Sequence, residues 1–98
     1  MIQEQTDLSE VVARIKKEAD IVEFLGRHIE LKNRGRDHLA LCPFHNEKTP
    51  SFHVSRDKGF YYCFGCQATG DILTFAREFL GMSFMDAVKE LAAPLGIS

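Results

Sequence analysis

Cys42-Pro43-Phe44-His45 and, seventeen residues further on, Cys63-Phe64-Gly65-Cys66 decide how this chain folds. Each is a pair of metal-ligand side chains with two residues between them. A spacer of that length lets one tight turn aim both side chains at a single point. Zinc takes four soft or borderline ligands in a tetrahedron, and two such pairs supply them. Gly65 frees the backbone to curl, so that amide N–H groups can face a thiolate sulfur. Four protein ligands close the coordination shell and leave no position for water or substrate. The reading is therefore one structural zinc ion, held by Cys42, His45, Cys63 and Cys66. It consumes all three cysteines of the chain.

Other readings of the same residues are weaker. A redox C-x-x-C of thioredoxin type calls for a βαβ context, whereas the flanking sequence alternates in short antiparallel strands. Iron–sulfur centres call for four thiolates or the two-histidine Rieske arrangement. His28, His38 and His53 are expected on strand surfaces or beside the core rather than in place of His45. An odd cysteine count argues against a secreted disulfide framework and for a reducing compartment.

Outward from the two pairs, the pattern has a period of two. Ile29 and Leu31 alternate with Glu30 and Lys32, Leu39 and Leu41 with Ala40, Phe52 and Val54 with His53, and Phe60 and Tyr62 with Tyr61. These predict about four short antiparallel strands over residues 28–66. Asn33-Arg34-Gly35-Arg36 and Arg56-Asp57-Lys58-Gly59 read as the turns. Helical spacing holds outside this block. Leu8, Val11, Val12, Ile15 and Ala19 mark one helix led by Asp7, and Ile21, Phe24 and Leu25 a second led by Asp20 and closed by Gly26. Ile72, Phe75, Ala76, Phe79 and Leu80 mark a third that Gly81 ends. Phe84 to Leu95 mark a fourth, led by Ser83 and ended by Pro94. The apolar stripes read as core. The expected fold class is α+β: a zinc ribbon with a small antiparallel sheet, flanked by helices over about 7–27 and 71–95. The expected organisation is a single domain, residues 1–98.

Composition bounds the rest. With 45% apolar and 27% charged residues, the chain is not built for wholesale disorder. No apolar run approaches membrane-spanning length, and the N-terminal MIQEQTDLSE lacks the basic and apolar segments of a signal peptide, so no membrane partner and a cytoplasmic location are expected. The net charge of −2 conceals a segregation: residues 31–70 carry six bases against three acids, while residues 1–30 carry four against seven.

The stretch Cys42-Pro43-Phe44-His45-Asn46-Glu47-Lys48-Thr49-Pro50-Ser51-Phe52-His53-Val54-Ser55, followed by Tyr62-Cys63-Phe64-Gly65-Cys66 and Gly70-Asp71, closely resembles the N-terminal zinc-binding domain of bacterial, DnaG-type DNA primases. Asp20-Ile21-Val22, Leu31 to Arg36 and the tail from Ala87 to Gly96 match the same pattern, so the resemblance covers nearly the whole chain. It implies a role in making short RNA primers on single-stranded template during DNA replication. In that family the zinc domain helps to recognise the initiation site. The polymerase chemistry belongs to a separate domain with acidic metal-binding residues, which would be a partner in cis or in trans. A replicative helicase, reached through domains outside these residues, is a further implied partner.

Small basic sheets with aromatic side chains suit single-stranded nucleic acid, because bases stack on rings while cations follow the phosphates. Arg34, Arg36, Lys48, Arg56 and Lys58 are the expected phosphate contacts. Lys48 stands out because its loop runs from the metal pair to Pro50. Strand alternation sets Tyr61 opposite in face to Phe60 and Tyr62, and Tyr61 is the ring expected to be exposed. The chain shows no nucleophile–base–orienter set and no phosphate-cradling glycine loop, so it is not expected to be an enzyme by itself. The competing reading is a zinc-stabilised protein–protein docking module that regulates a primase or another replication enzyme.

Overall fold

The computed structural model describes residues 7–97. The outer limits of the expected 1–98 domain, residues 1–6 and 98, lie outside the described residues. Two helices come first, α1 (Leu8–Glu18) and α2 (Ile21–Gly26). Five strands follow, β1 (Lys32–Arg34), β2 (Asp37–Ala40), β3 (Phe52–Ser55), β4 (Phe60–Cys63) and β5 (Thr69–Asp71). The chain then forms α3 (Ile72–Glu78), α4 (Phe84–Ala92) and a 3-10 turn, Ala93–Leu95.

Helix starts follow side-chain chemistry. Asp20 accepts from the Val22 and Glu23 amides at 3.0 and 3.2 Å, Asp71 from Thr74 at 3.0 Å, and Ser83 from Asp86 at 3.1 Å. Gly81 takes a positive φ of 73° after α3, a conformation that costs glycine nothing.

The sheet is a five-stranded antiparallel meander in chain order. Its inner face carries Ala40, Phe52, Val54, Tyr61 and Cys63, all buried. Helices cover that face, and Phe75 of α3 is the central ring. It meets Tyr61 edge-on at 6.1 Å, Phe24 at 6.3 Å and Phe79 in a stack at 4.9 Å. Ile15, Leu25 and Ala87 complete this core with no exposed surface.

Four expectations change. The strand expected at Ile29–Leu31 begins instead at Lys32, because the Ile29 amide is still bonded to the Leu25 carbonyl at 2.9 Å at the end of α2. The first turn shifts by one residue: Arg34 pairs with Asp37, leaving Gly35 and Arg36 as the loop. Gly35 alone has positive φ there, at 69°, which is the type II′ hairpin pattern. Thr69–Asp71 adds a fifth strand that apolar alternation does not mark. Finally, the predicted exposure of Tyr61 is reversed. Tyr61 has 0% exposure and Phe60 40%. The alternation is as read, but Tyr61 shares its face with Cys63, and Cys63 must turn inward to meet Cys42.

Candidate metal centre and sheet face

The register brings the two ligand pairs together. Phe52 pairs with Ala40 on one side and Cys63 on the other, so the end of β2 and the end of β4 lie at the same end of the sheet. Cys42 and His45 sit in the turn after β2. Cys63 closes β4, and Cys66 lies in the turn beyond it. One donor atom from each of Cys42, His45, Cys63 and Cys66 lies within 4.8 Å of the others, and among the described residues no other histidine joins this group. The Cys42 and Cys66 sulfurs are 3.8 Å apart. Zn–S bonds of about 2.3 Å in a tetrahedron give an edge of about 3.8 Å, whereas a disulfide requires about 2.05 Å. The three cysteines are free thiols. The donor set and its spacing fit zinc.

The two knuckles share one backbone device. The Phe44 amide donates to the Cys42 sulfur at 3.3 Å, and the Gly65 amide to the Cys63 sulfur at 3.3 Å. Burial foremost pushes the Cys42 thiol up to about 12, with Cys63 and Cys66 adding to it against the Phe44 amide. Burial also opposes ionisation of Cys63, but the Cys66 and Gly65 amides, joined by the Cys42 and Cys66 thiols, outweigh it and hold that thiol below its ordinary range. A divalent cation at the centre favours the thiolate form of both. Gly65 matters for a reason other than backbone freedom. A Cβ there would stand 2.9 Å from His45 Nε2 and 3.2 Å from Glu47 Oε1.

Glu47 is the site residue that sequence reasoning missed. Its side chain is only 10% exposed, and Oε1 lies 3.3 Å from His45 Nε2. Its other oxygen accepts from the Cys42 amide at 2.8 Å and the Ser51 amide at 3.0 Å, and the Ser51 hydroxyl donates to Oε1. The Ser51 hydroxyl first, then the two amides, hold its carboxyl below the usual range against the cost of burial. The sequence offered only a weak cue: an acid two residues from the candidate ligand His45, followed by a serine at one-turn spacing.

The candidate nucleic-acid contacts are distributed unevenly. The pairs Lys32–Leu39, Leu39–His53 and His53–Tyr62 form one row across the sheet, and Arg34–Asp37, Asp37–Ser55 and Ser55–Phe60 form another. Residues directly opposite one another share a face, and both rows lie on the face away from the helices. Lys48, in the loop after the first knuckle, joins Lys32 and Arg34 around an open groove of about 420 Å³ beside exposed Leu41. Lys32 was missed, although it shares the parity of Arg34. Arg36 is exposed at the hairpin tip. Lys58 borders a second groove of about 370 Å³ with His53, Phe60, Tyr62 and Phe64. Phe64 is 67% exposed and meets His53 and Tyr62 edge-on at 4.7 and 4.8 Å. Arg56 is engaged elsewhere, 3.1 Å from Asp20. Tyr61 lies under the sheet and is not a surface contact.

Comparison with known proteins then decides the family. The family model described as the CHC2 zinc finger, the zinc ribbon of DnaG, matches residues 7–98. The chain belongs to the CHC2 zinc-finger family. It is 48% identical over 90 residues to a DNA primase of Myxococcus xanthus, covering 92% of this chain and 14% of that protein. It is 52% identical over 83 residues to a DNA primase of Synechocystis, covering 85% and 13%. A crystal structure of the Aquifex aeolicus primase, comprising its zinc-binding and RNA polymerase domains, superposes with a TM-score of 0.82 at 34% identity, over 90% of this chain and 22% of that one. The CHC2 ribbon described here thus spans about one seventh of the length of the primase relatives it matches. The resemblance to the zinc-binding domain of bacterial primases and the α+β fold class hold. Among the described residues no helix is long and apolar enough to cross a membrane.

Proposed function

We propose that this chain holds one structural zinc through Cys42, His45, Cys63 and Cys66 and lays single-stranded DNA template across the outer face of its sheet. In this reading it helps a DNA primase to select where RNA primer synthesis begins in cytoplasmic DNA replication. The observation that carries the reading is the shared face. Lys32 and Arg34 stand in the same rows as His53, Tyr62 and Phe60, and Lys48 and Phe64 extend the two ends. Cations for phosphates and rings for bases thus lie side by side, which is what a single strand requires. The ligand set is closed, so the metal orders the sheet and takes no part in chemistry. Nucleotide addition falls to a polymerase domain joined in cis or supplied in trans. Tethering would make a weak template binder effective without further contacts. A replicative helicase would be engaged through other domains of the parent protein.

The test is a salt titration of a fluorescent single-stranded oligonucleotide. Lys48→Ala with Arg34→Ala should weaken binding and lower the salt slope by about 0.7 per lost phosphate contact, with zinc retained. Tyr62→Ala should cost about 1–3 kcal/mol if a base stacks there. Equal affinity and slope for wild type and the double variant would remove these cations from the interface.

The docking reading draws on a separate feature. Glu18, Asp20, Glu23, Arg27 and Glu90 line a groove of about 220 Å³ on the helical side together with apolar Leu91 and Leu95, and this mixed surface suits a protein segment better than DNA.

A further inference from the structure

We infer that Glu47 is the positioning residue of the metal centre, fixing the His45 ring and tying the Lys48 loop to the ion; this rests on the zinc reading above. Three contacts carry it. His45 turns Nδ1 toward the Cys63 sulfur, 4.0 Å away, and Nε2 toward Glu47 Oε1, 3.3 Å away. The ring nitrogen facing the thiols is therefore the one free to ligate, and the proton belongs on the nitrogen facing the carboxylate. A carboxylate behind a ligating imidazole sets tautomer and ring orientation and makes the ligand more basic. The second contact is to the Cys42 amide at 2.8 Å, which fixes the backbone of the first thiol ligand. The third is to Ser51, whose amide and hydroxyl both donate to Glu47.

One largely covered carboxylate thus holds two candidate ligand residues of the first knuckle and the far end of the loop that carries Lys48, Thr49 and Pro50. The absence of a side chain at Gly65 leaves room for this pair, since a Cβ there would strike both His45 and Glu47. The loop has no other side-chain hydrogen bond to the knuckle among the described residues. The Phe64 amide of the second knuckle also donates to the Ser51 carbonyl at 2.9 Å, so order at the metal reaches the Lys48 loop from the second knuckle through that bond and from the first through Glu47. Loss of the carboxylate should loosen the ion and the loop together.

The test uses the zinc-loaded chain, with Glu47→Ala, Glu47→Gln and, as a control, Glu23→Ala, an exposed acid paired with Arg27 on α2. A glutamine must turn its NH2 toward either the two backbone amides or the His45 N–H, so it replaces half of the network. Competition against a colorimetric chelator should show zinc held about 10–100-fold more weakly in Glu47→Ala, about tenfold more weakly in Glu47→Gln, and unchanged in Glu23→Ala. With zinc saturating, the Cys42 and Ser51 amides should exchange with solvent faster in both Glu47 variants. The His45 Nε2–H, which loses its carboxylate acceptor, should also exchange with solvent faster in Glu47→Ala. Wild-type zinc affinity in Glu47→Gln, or unchanged exchange at Cys42 and Ser51, overturns the inference. If Glu47→Ala fails to fold by circular dichroism, Glu47→Gln decides alone. A wild-type chain that binds no zinc overturns the metal reading itself, a result distinct from the other two.

Discussion

Gly65 sits where the metal knuckles leave least room. A Cβ there would approach His45 Nε2 to 2.9 Å, Cε1 to 3.1 Å and Glu47 Oε1 to 3.2 Å, and a ligating ring cannot swing aside without leaving the ion. Gly65→Ala is expected to weaken zinc binding by about tenfold or more, an effect comparable to disturbing a partner that orients a ligand. Gly35→Ala, at a hairpin tip with nothing within 4 Å of the added carbon, should leave the metal untouched. Chelator competition on the two variants separates them; equal zinc affinity would show that the knuckle yields to the extra methyl. At this scale the four candidate ligands, whose donor atoms lie within 4.8 Å of one another, were legible because spacing and residue type name them. Glu47 was not, because an acid beside a ligand reads equally well as solvated surface until its partners are seen. Tyr61 was placed on the wrong face although its parity with Cys63 was available: a thiol that must meet Cys42 across β3 fixes the inward positions of the whole strand.

The short helix α2 shows what a single cap can hold. Only six residues long, it buries Ile21, Val22, Phe24 and Leu25, yet isolated helices of that length are unstable in water. Asp20 satisfies two of its free amides and receives the Arg56 guanidinium from the β3–β4 turn at 3.1 Å. Burial works against the Asp20 carboxylate, but Arg56 and the two amides together hold it below the ordinary range, so it is ionised at neutral pH. Asp20→Ala should cost about 1–2 kcal/mol in urea melts at pH 7. Asp7→Ala should cost less, since the Asp7 contact to the Ser9 amide is 3.3 Å long at the exposed start of α1. Asp20→Asn, which keeps the cap and gives up the charge, should recover most of the loss. Equal melts for Asp20→Ala and Asp7→Ala would place the stability of α2 in its packing alone. The helices were legible through their caps and apolar spacing. Strand β5 was not, because Thr69-Gly70-Asp71 has no apolar residue to alternate. Gly70 gives it room there: a Cβ would lie 2.5 to 2.8 Å from the Thr74 side chain and the Tyr61 hydroxyl.

For the whole molecule the metal and the core must be weighed together. Structural zinc supplies on the order of 10 kcal/mol of apparent binding free energy near neutral pH, comparable to the roughly 5–15 kcal/mol stability of an entire small domain. Stripping zinc with a strong chelator should therefore melt the sheet at a much lower temperature, and readdition of zinc should restore it; identical melting curves would mean that the aromatic core around Phe75 suffices. The helices meet the inner face of the sheet and leave the outer face clear of them, and the proposal of a single-stranded DNA partner rests on the cations and rings of that outer face. Which cations and rings become neighbours on the outer face was not legible in the sequence, because it depends on a register that only the paired strands set. The most direct measurement is a nitrogen-15 NMR titration of the zinc-loaded chain with a single-stranded oligonucleotide. Shifts are expected at Lys32, Arg34, Lys48, His53, Tyr62 and Phe64, with Glu18, Glu23 and Glu90 unmoved. Shifts confined to the helical side, with the outer face of the sheet silent, would contradict the single-stranded DNA proposal.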